Sequence, residues 1–353
     1  MALDVTADDI ARNPAWHLYD IDMQRGELHF LEATPETFRI SAFLDNRIAY
    51  TGDRLHGFPL DTVARAVAAQ PAPEHDPAFL FHSSFCCSSL LARSLQLEGR
   101  VLALREPWVL RRIADLKRGV QARGQAWYPQ GPQLLDLALR LLAKTWQPSE
   151  SVLIKPTHVA HNLAAEALEL RPRAKGLLLH SDLETFLVSN LKKTEDTKQK
   201  TPALLRLFDQ DTGYARRFPA LALDRLDYLQ SLVVIWHAQM LKFQELLASA
   251  AGARLRSLDS ARLLAEPAAM VQAAAGFLEL PLTAADAEAS VAGPVWNTHA
   301  KDPFSAYDSA QRDAEGRDIV ARHGPELRAA LLWSETLFRA ASPGLAGEQA
   351  LTP

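Results

Sequence analysis

The amino-acid sequence predicts an α/β fold of three layers, in which helices cover both faces of a mostly parallel five-stranded sheet. Five short apolar runs, at 79–82, 101–104, 152–154, 175–180 and 254–258, alternate with longer segments of helical spacing. The runs are apolar on both faces, as the central strands of parallel sheets are. Right-handed crossovers through the helical segments would join them.

The composition is that of a globular protein. The chain of 353 residues is long enough for one large α/β domain with additions or for two domains, and 48% of its residues are hydrophobic against 23% charged. A formal net charge of −4 indicates no general affinity for nucleic acid or for an anionic membrane. Any anion site must therefore be local.

The sequence predicts neither export nor membrane insertion. Its first residues have neither the basic start nor the apolar block of a signal peptide, and no apolar run approaches the roughly 20 residues that span a bilayer. Cys86 and Cys87 are adjacent and cannot make a disulfide framework, which fits a reducing compartment. We therefore expect a cytoplasmic protein.

Three regions are expected along the chain. Residues 1–75 spread aromatic residues among charges with short alternation, which predicts a small α+β extension that packs on the main domain. The proline-rich stretch 71–77 is typical of a linker, and the main domain follows over 76–341. The tail, 342–353, is expected to fray.

The junction after the first apolar run carries the clearest functional signal. Small and hydroxyl residues follow the run, and Ser88 and Ser89 then open a segment with leucines at helical spacing. A strand, a tight loop and a helix in this order place free N–H groups and the positive end of a helix dipole at the carboxyl edge of the sheet, where a phosphate or sulfate binds. The loop is not a Walker A motif, because Cys87 stands where that motif has lysine. A plain strand-to-helix turn is the alternative.

Charged residues stand at the ends of the next two strands, on the same edge of the sheet. Arg105 and Glu106 precede a proline after the second run, and Lys155 follows the third run, shortly before His158. For Glu106 the structural alternative is a pair between Arg105 and a carboxylate at the sheet edge. For His158 the alternative is a position at a helix start or on the surface.

Taken together, these strand ends resemble those of the sulfotransferase family, whose members bind 3′-phosphoadenosine 5′-phosphosulfate with a P-loop-like fold. The 5′-phosphosulfate loop of that family runs Pro-Lys/Arg-Ser-Gly-Thr-Thr. In this chain the serine and the two threonines are matched by Cys86, Ser88 and Ser89. The proline, the basic residue and the glycine are replaced by Ser84, Phe85 and Cys87.

The resemblance implies a P-loop NTPase-like fold over roughly residues 78–285 and a role for each strand end. Glu106 would accept the proton of the acceptor, with His158 as a second acid–base group, and Lys155 would stabilise charge on the bridging oxygen as the sulfuryl group leaves. The implied cosubstrate-binding residues are Ser83, Ser84, Phe85, Cys86, Cys87, Ser88, Ser89, Ser181, Ser189, Lys193 and Lys301.

Position 181 departs from the family in the same way as position 85. Ser181 stands where the family has the arginine that holds the 3′-phosphate, whereas Ser189 keeps the place of the serine that assists it. Lys192 and Lys193 would then supply the missing charge, although they open a charged run that is also typical of a solvated segment.

The implied reaction transfers a sulfuryl group to a hydroxyl or amine of a small molecule or peptide. It requires no metal, and no spacing of His, Cys and Asp indicates one. The loops 119–132, 194–215 and 292–308 are expected to line the acceptor site. The adjacent cysteines are interpreted as loop packing, with redox activity as the alternative.

Two further functions stay open, because the basic residues at positions 85 and 181 are missing. One is a sulfotransferase-like domain that binds a nucleotide or a protein partner without catalysis. The other is a divergent phosphotransferase that uses ATP.

Overall fold

The structure, a computed structural model, describes residues 5–49, 55–299, 302–338, 345, 347 and 349–353. The strands within these ranges are β1 (Trp16–Asp22), β2 (Glu27–Glu32), β3 (His56–Pro59), β4 (Ala78–His82), β5 (Val101–Arg105), β6 (Ser151–Lys155), β7 (Gly176–His180), β8 (Leu255–Asp259), β9 (Thr298–His299) and β10 (Asp302–Ala306).

The helices of the first half are α1 (Ala7–Arg12), α2 (Pro35–Ile40), α3 (Leu60–Ala68), α4 (Ser88–Leu95), α5 (Trp108–Ala122), α6 (Gln130–Leu142), α7 (Ala164–Leu170) and α8 (Leu183–Leu191). Those of the second half are α9 (Glu195–Gln199), α10 (Thr201–Thr212), α11 (Tyr214–Arg217), α12 (Tyr228–Ala248), α13 (Ser260–Ala265), α14 (Pro267–Phe277), α15 (Ala284–Ala292) and α16 (Ser309–Phe338). Short 3-10 helices cover His158–Leu163, Leu223–Arg225, Gly252–Arg254 and Pro294–Trp296.

The main sheet contains the five predicted strands in the order β5-β6-β4-β7-β8. Each neighbouring pair is parallel. From the central strand β4 the chain first builds one side of the sheet, with β5 and β6, and then the other, with β7 and β8. Ligands bind outside the carboxyl ends of the strands at such a switch point. The predicted α/β class and the parallel five-stranded sheet are confirmed.

Alternation along β4 divides the apolar core between the two faces of the sheet. Phe79 and Phe81 pack into a large core together with α5, α6 and α12. Ala78 and Leu80 face the other side and pack with residues of α4 and α14. Burial on both faces explains why the run carries no polar residue before His82.

The predicted α+β extension is present as the antiparallel sheet β1-β2-β3 with α1, α2 and α3. Its buried residues belong to the same core as one face of the main sheet. Two backbone hydrogen bonds fix the segment after α2 against the end of β5: Leu44 N donates to Arg105 O at 2.7 Å, and Trp108 N donates to Leu44 O at 2.9 Å. The extension therefore reaches the carboxyl edge of the main sheet.

The side chain of Arg105 holds the same junction and, among the described residues, pairs with no carboxylate. Its buried guanidinium donates to the carbonyl oxygens of Ser41, Phe38 and Arg39 and to the side chain of Gln96. Burial above all, and then the neighbouring Arg93, lowers the pKa of Arg105 to about 10. The structural alternative for Glu106 was an ion pair between Arg105 and a carboxylate at the sheet edge. It is wrong, because Arg105 binds backbone oxygens of the extension.

Local predictions between the strands need three corrections. The predicted loop 119–132 is shorter, since α5 continues to Ala122 and α6 begins at Gln130. The segment after Lys155 first forms a 3-10 helix and becomes α-helical only at Ala164. The charged run after Lys192 contains the helix α9 and leads directly into α10, so that it is ordered into helices with exposed charges.

The end of the chain pairs with the edge of the main sheet, where fraying was expected. Ser257 N donates to Gln349 O at 2.9 Å, and Leu351 N donates to Ser257 O at 2.8 Å. Leu351 is buried. This short segment covers the free edge of β8, which would otherwise present unpaired backbone groups. None of the helices in the described ranges has the length and apolar composition to cross a membrane.

Candidate functional site at the carboxyl edge of the main sheet

The loop between β4 and α4 has the geometry of an anion-binding turn. Cys87 caps the helix in the left-handed conformation, at φ 61°, and Phe85 is also left-handed, at φ 60°. The thiol of Cys86 donates to the carbonyl oxygen of Ser83 at 2.7 Å, which closes the turn. The first N–H groups of α4 lack intrahelical partners by geometry and point toward the loop. Backbone strain of this kind concentrates at functional sites.

The two cysteines serve packing in this loop. Burial, followed by the neighbouring Cys87, raises the pKa of Cys86 to about 12, and burial also raises the pKa of Cys87. Both therefore stay thiols near neutral pH, whereas thiol chemistry needs the thiolate.

Glu106 and Lys155 form a buried ion pair at the ends of β5 and β6. Nζ of Lys155 is 2.5 Å from Oε1 of Glu106, and Glu106 N donates to Lys155 O at 2.7 Å. Lys155 is only 1% exposed. Burial alone would raise the pKa of Glu106, but the ammonium of Lys155 holds it below its ordinary value. Glu106 is therefore ionised near neutral pH, and its backbone is left-handed at φ 57°.

Three histidines lie beside this pair. His82 ends β4, with Nδ1 2.9 Å from the carbonyl oxygen of Ser83 and Nε2 3.7 Å from Oε1 of Glu106. The ring of His158 is 6.1 Å from that of His82, and Nε2 of His161 accepts the backbone N–H of His82 at 3.3 Å. Burial above all, and then the charges of Lys155 and His158, holds the pKa of His82 well below 6.5.

A first cavity of about 590 Å³ opens above these groups. Its polar wall includes His82, Ser84, Ser88, Ser89, Glu106, Thr157 and His158. The basic residues Arg47, Arg111 and Lys200 also line it. Its apolar and aromatic wall includes Phe43, Phe85, Trp108, Phe186, Leu207, Tyr228 and Leu232. The cavity thus combines an acid–base cluster with room for an apolar group.

A second cavity, of about 1290 Å³, lies on the other side of the loop. Basic residues line it at four positions: Lys192, Lys193, Arg312 and Arg317. Cys87, Ser189 and Tyr307 also contribute to the wall. Three carboxylates, Glu184, Asp313 and Glu315, line the same cavity. Its basic side chains and hydroxyls are of the kinds that bind phosphate groups.

Phe85 lies between the two cavities and lines both of them. Its ring packs edge-to-face on Phe186, at 5.9 Å between centroids. Nζ of Lys193 lies 4.6 Å from the centre of the same ring. Phe85 stands where the sulfotransferase loop has its basic residue, and the face of its ring contacts the ammonium of Lys193.

The structure brings together many of the predicted site residues. Glu106, His158 and the loop residues Ser84, Phe85, Ser88 and Ser89 line the first cavity, and Cys87, Ser189 and Lys193 line the second. Lys155 is buried beneath the first cavity with its ammonium engaged by Glu106. His158 begins a 3-10 helix, as one part of the alternative interpretation expected. It is not a surface histidine, since it lines the cavity beside His82.

Four predicted residues within the described ranges line neither cavity: Lys155, Ser83, Cys86 and Ser181. Ser83, Cys86 and Ser181 are buried. The hydroxyl of Ser181 has no hydrogen-bond partner in the described part of the chain, and its carbonyl oxygen accepts from Nε1 of Trp236 at 3.0 Å. Position 181 therefore supplies no cation. The cations of the second cavity are Lys192 and Lys193, which follow α8, and residues of α16. Lys301 lies outside the described residues.

The loops expected at the acceptor site are only partly present there. Thr197, Lys200, Thr201, Ala203, Leu204 and Leu207 of the predicted loop 194–215 line the first cavity, on helices. Trp127 of the loop 119–132 lines a separate cavity with α3 and α6 instead. From 292–308, Ala306 and Tyr307 line the second cavity.

Sequence reasoning missed several residues of the first cavity. Phe43, Asp45 and Arg47 come from the extension, and no local pattern marks them, because the junction with Arg105 alone brings them there. His82 could have been found: it ends a strand at the same sheet edge, which is the rule that selected Glu106 and Lys155. Among the described residues, no group of three or more His, Cys, Asp or Glu side chains could hold a metal ion.

Known proteins resemble the chain in structure. Neither a protein-family model nor a curated protein matches it. The sulfotransferase domain of the curacin biosynthetic pathway matches at 10% identity, covering 72% of this chain and 99% of its own, with a TM-score of 0.39. A sulfotransferase of Alicyclobacillus acidocaldarius matches at 11% identity, with 71% and 96% covered and a TM-score of 0.35. One of Mycobacterium tuberculosis matches at 12% identity, with 70% and 76% covered and a TM-score of 0.38. All three of these proteins are sulfotransferases.

Proposed function

We propose that the chain is a sulfotransferase that binds 3′-phosphoadenosine 5′-phosphosulfate in the second cavity and its acceptor in the first. The observation that carries this proposal is the position of the loop 83–89, which contributes Phe85 to the walls of both cavities. Two ligands on opposite sides of the loop meet over the start of α4. Holding two reactants in line in this way removes much of the barrier to transfer.

The second cavity suits the nucleotide because four basic side chains line it against three carboxylates, and phosphate groups bind to lysine and arginine. Lys192 and Lys193 directly follow α8, and Arg312 and Arg317 lie on α16 and line the same cavity. Lys192 also pairs with Glu315 at 3.3 Å, so that the lysine links the two helices. Lys193 reaches the loop through its contact with the ring of Phe85. These lysines take the place of the basic residues missing at positions 85 and 181.

The loop itself would hold the sulfuryl group. The backbone N–H groups at the start of α4 and the hydroxyls of Ser88 and Ser89 donate to an oxyanion at a helix N-terminus. Lys155 would add positive charge near the loop. Its ammonium is close enough to favour the thiolate of Cys86, although burial outweighs this effect. A direct contact between Lys155 and the bridging oxygen would require the lysine to leave Glu106.

The acceptor would be a hydroxyl or an amine on a small molecule or peptide, with an apolar part against Phe43, Trp108 and Tyr228. Its oxygen or nitrogen attacks the sulfur, and the bond between sulfur and the bridging phosphate oxygen breaks. Adenosine 3′,5′-bisphosphate leaves with the electron pair of that bond. The proton of the acceptor passes to the cluster of Glu106 and His158 at the cavity wall.

One observation favours a second candidate, a domain of this fold that binds a nucleotide without catalysis. The loop 83–89 contains no lysine or arginine. Lys155, the nearest buried cation, is held by Glu106. A site with this charge distribution can bind a bisphosphate and still transfer nothing.

Ligand binding and transfer distinguish the candidates. Thermal unfolding should be followed with adenosine 3′,5′-bisphosphate, with ATP, and with ATP plus magnesium. We expect stabilisation by the bisphosphate alone, of about 2.7 kcal/mol at a concentration about 100 times Kd. Radiolabelled donor should then transfer its sulfuryl group to at least one member of a panel that contains a phenol, a primary alcohol and a primary amine.

Other outcomes contradict the proposal in different ways. Binding of the bisphosphate without transfer to any member of the panel supports the domain without catalysis. Stabilisation by ATP only in the presence of magnesium supports a phosphotransferase. The absence of stabilisation by any of these ligands leaves a protein-binding domain.

A further inference from the structure

We infer that Phe43, a residue of the N-terminal extension, determines which acceptors the first cavity admits. Its ring closes the cavity near Glu106 and restricts the acceptor to an unhindered hydroxyl or amine, with no branch beside the nucleophilic atom. The inference rests on the proposed function and deepens it by naming a class of acceptor. Three observations carry it: the position of the ring, the contacts that hold the ring, and the attachment of the extension to the sheet edge.

The ring of Phe43 lies at the end of the first cavity where transfer would occur. Phe43 lines this cavity together with Ser88 and Glu106. The centre of its ring is 5.7 Å from Nζ of Lys155, and the same ammonium is 2.5 Å from Oε1 of Glu106. Lys155 also acts electrostatically on Cys86 in the loop 83–89. The ring is therefore near the ion pair and near the loop that is expected to hold the sulfuryl group.

The ring has little freedom to move aside. Phe43 is only 3% exposed, so nearly all of its surface is packed against other atoms. Cζ of Arg47 lies 3.9 Å from the ring centre, and Nε of Arg47 donates to Oδ1 of Asp45 at 2.8 Å. A cation over an aromatic face is attracted to it, and a closely packed side chain moves only together with its neighbours. Phe43 therefore acts as a fixed wall.

The backbone on both sides of Phe43 is held in place. Leu44 N donates to the carbonyl oxygen of Arg105 at 2.7 Å. The guanidinium of Arg105 donates to the carbonyl oxygen of Ser41, with Nη2 at 2.6 Å. Oγ of Ser41 in turn accepts from Ala49 N at 2.9 Å, which closes the segment 41–49. Arg105, at the end of its strand, is thus the positioning residue for Phe43.

The consequence is a restriction by shape. The nucleophilic atom of the acceptor must come within about 3–3.5 Å of the sulfur, so the carbon atoms next to it lie near the ring. A branch at these carbon atoms would collide with Phe43, which acts through its volume and needs no bond to the acceptor. One methylene group more or less in an apolar pocket changes a rate by about 10- to 200-fold. The whole cavity holds about 590 Å³, so a large apolar part away from the nucleophile is still admitted.

Charge does not offer the same discrimination. Basic residues that line the first cavity pair with carboxylates close to them in the chain: Arg47 with Asp45, Arg111 with Asp115 and Lys200 with Asp196. An anionic acceptor would have to compete with these carboxylates. The cavity therefore selects its acceptor by shape rather than by charge.

Rates with matched acceptors test the inference. Phenol is compared with 2,6-dimethylphenol, 1-hexanol with 2-hexanol, and hexylamine with 2-aminohexane, with the donor at saturation. For each pair that the wild type uses, kcat/KM should favour the unhindered member by about 10-fold or more. Phe43→Ala should lower this ratio by about 10-fold, because it removes the wall, and Phe43→Leu should lower it by a smaller factor. Comparing the ratio between variants cancels the different intrinsic reactivities of the two acceptors.

Bisphosphate binding and a matched variant control for damage to the fold. Phe43 does not line the second cavity, so Phe43→Leu should bind adenosine 3′,5′-bisphosphate with the wild-type Kd. Phe38→Leu is the control, because Phe38 is also buried in the extension, where it packs edge-to-face on His17 and Trp146, but lines neither cavity. This variant should unfold at a lower temperature and keep the wild-type ratio for each acceptor pair.

The outcomes separate this inference from the proposed function. Phe43 variants that keep the wild-type ratio, or a wild type that uses both members of a pair equally well, overturn the role of Phe43 alone. A change in Phe38→Leu as large as that in Phe43→Leu also overturns it, because the preference would then depend on the packing of the whole extension. Loss of bisphosphate binding in Phe43→Leu would assign the ring to the fold and overturn it as well. A wild type that binds the bisphosphate but transfers to no acceptor contradicts the proposed function itself, and this inference with it.

Discussion

Nζ of Lys193 lies 4.6 Å from the centre of the Phe85 ring. A lysine from outside the loop therefore contacts the loop position at which the basic residue is missing. Lys193 follows α8, one helical turn after Ser189. Burial, followed by Lys192, lowers the pKa of Lys193 below its ordinary value. An ammonium that is partly desolvated and held over an aromatic face binds an anion more strongly than a solvated one.

The first prediction concerns Lys193. A hydrogen bond from a charged group contributes about 1.5–3 kcal/mol, so Lys193→Ala should weaken the binding of adenosine 3′,5′-bisphosphate by about 10- to 100-fold. Isothermal titration calorimetry measures this directly. Lys175→Ala is the control, since Lys175 pairs with Glu279 at the opposite edge of the sheet. Equal affinity in both variants would show that the nucleotide does not bind in the second cavity.

The second prediction concerns the buried pair of Glu106 and Lys155. Glu106→Gln leaves the ammonium of Lys155 buried without a carboxylate, which costs about 3–5 kcal/mol. The contact of 2.5 Å between Nζ of Lys155 and Oε1 of Glu106 is the reason to expect this loss. Urea unfolding of Glu106→Gln should therefore show a lower midpoint than that of the wild type.

The double variant Glu106→Gln/Lys155→Met is the matched control for that measurement. It removes both charges and should recover most of the lost free energy of unfolding, while the transfer of the sulfuryl group stays lost. A double variant no more stable than Glu106→Gln would contradict the interpretation of the pair as two mutually compensating charges.

The sequence reveals the sheet and its functional edge but not the full wall of the site. The five strands are readable because each apolar run between β4 and β8 is a local pattern. The strand ends Glu106 and Lys155 meet because parallel strands end at one edge. Their direct pairing was not readable, since it depends on side-chain direction. Phe43 and Arg47 reach the cavity only through contacts between residues far apart in the chain, which no local pattern encodes.

The tail shows the same limit. Residues 349–351 are one polar, one small and one apolar residue, and a stretch with proline and glycine precedes them. Such a sequence is typical of a frayed end. Their hydrogen bonds to Ser257 arise because β8 is an edge strand with unpaired backbone groups. A local pattern cannot report which strand is left at the edge of a sheet.

The third prediction concerns acid sensitivity. Burial, and then Lys144, lowers the pKa of His17 to about 3, and burial likewise lowers those of His82 and His161 well below 6.5. The unfolded chain then binds more protons than the folded one as pH falls below about 6.5. Each histidine should therefore cost about 1 kcal/mol of stability for each pH unit below 6.5.

Urea unfolding at pH 7.5, 6.5 and 5.5 checks this expectation. Stability should be nearly constant down to pH 6.5 and should fall below it. His17→Gln removes one titrating group outside the functional site, so its stability should fall less steeply over the same range. Identical pH dependence in the wild type and this variant would show that His17 is not held neutral in the fold.

The fourth prediction concerns the loop backbone at Cys87. The left-handed conformation, at φ 61°, costs a residue with a Cβ about 1–2 kcal/mol, and glycine adopts it freely. Glycine also makes the unfolded chain more flexible, which offsets about 0.4–1 kcal/mol. Cys87→Gly also loses the packing of the thiol against the core, so the variant should stay within about 1 kcal/mol of the wild-type stability, with bisphosphate binding retained. Ser84→Gly in the same loop, at a position without positive φ, should instead destabilise by about 0.5–1 kcal/mol. Equal losses in the two variants would mean that position 87 carries no strain and that its match to the family's glycine has no conformational basis.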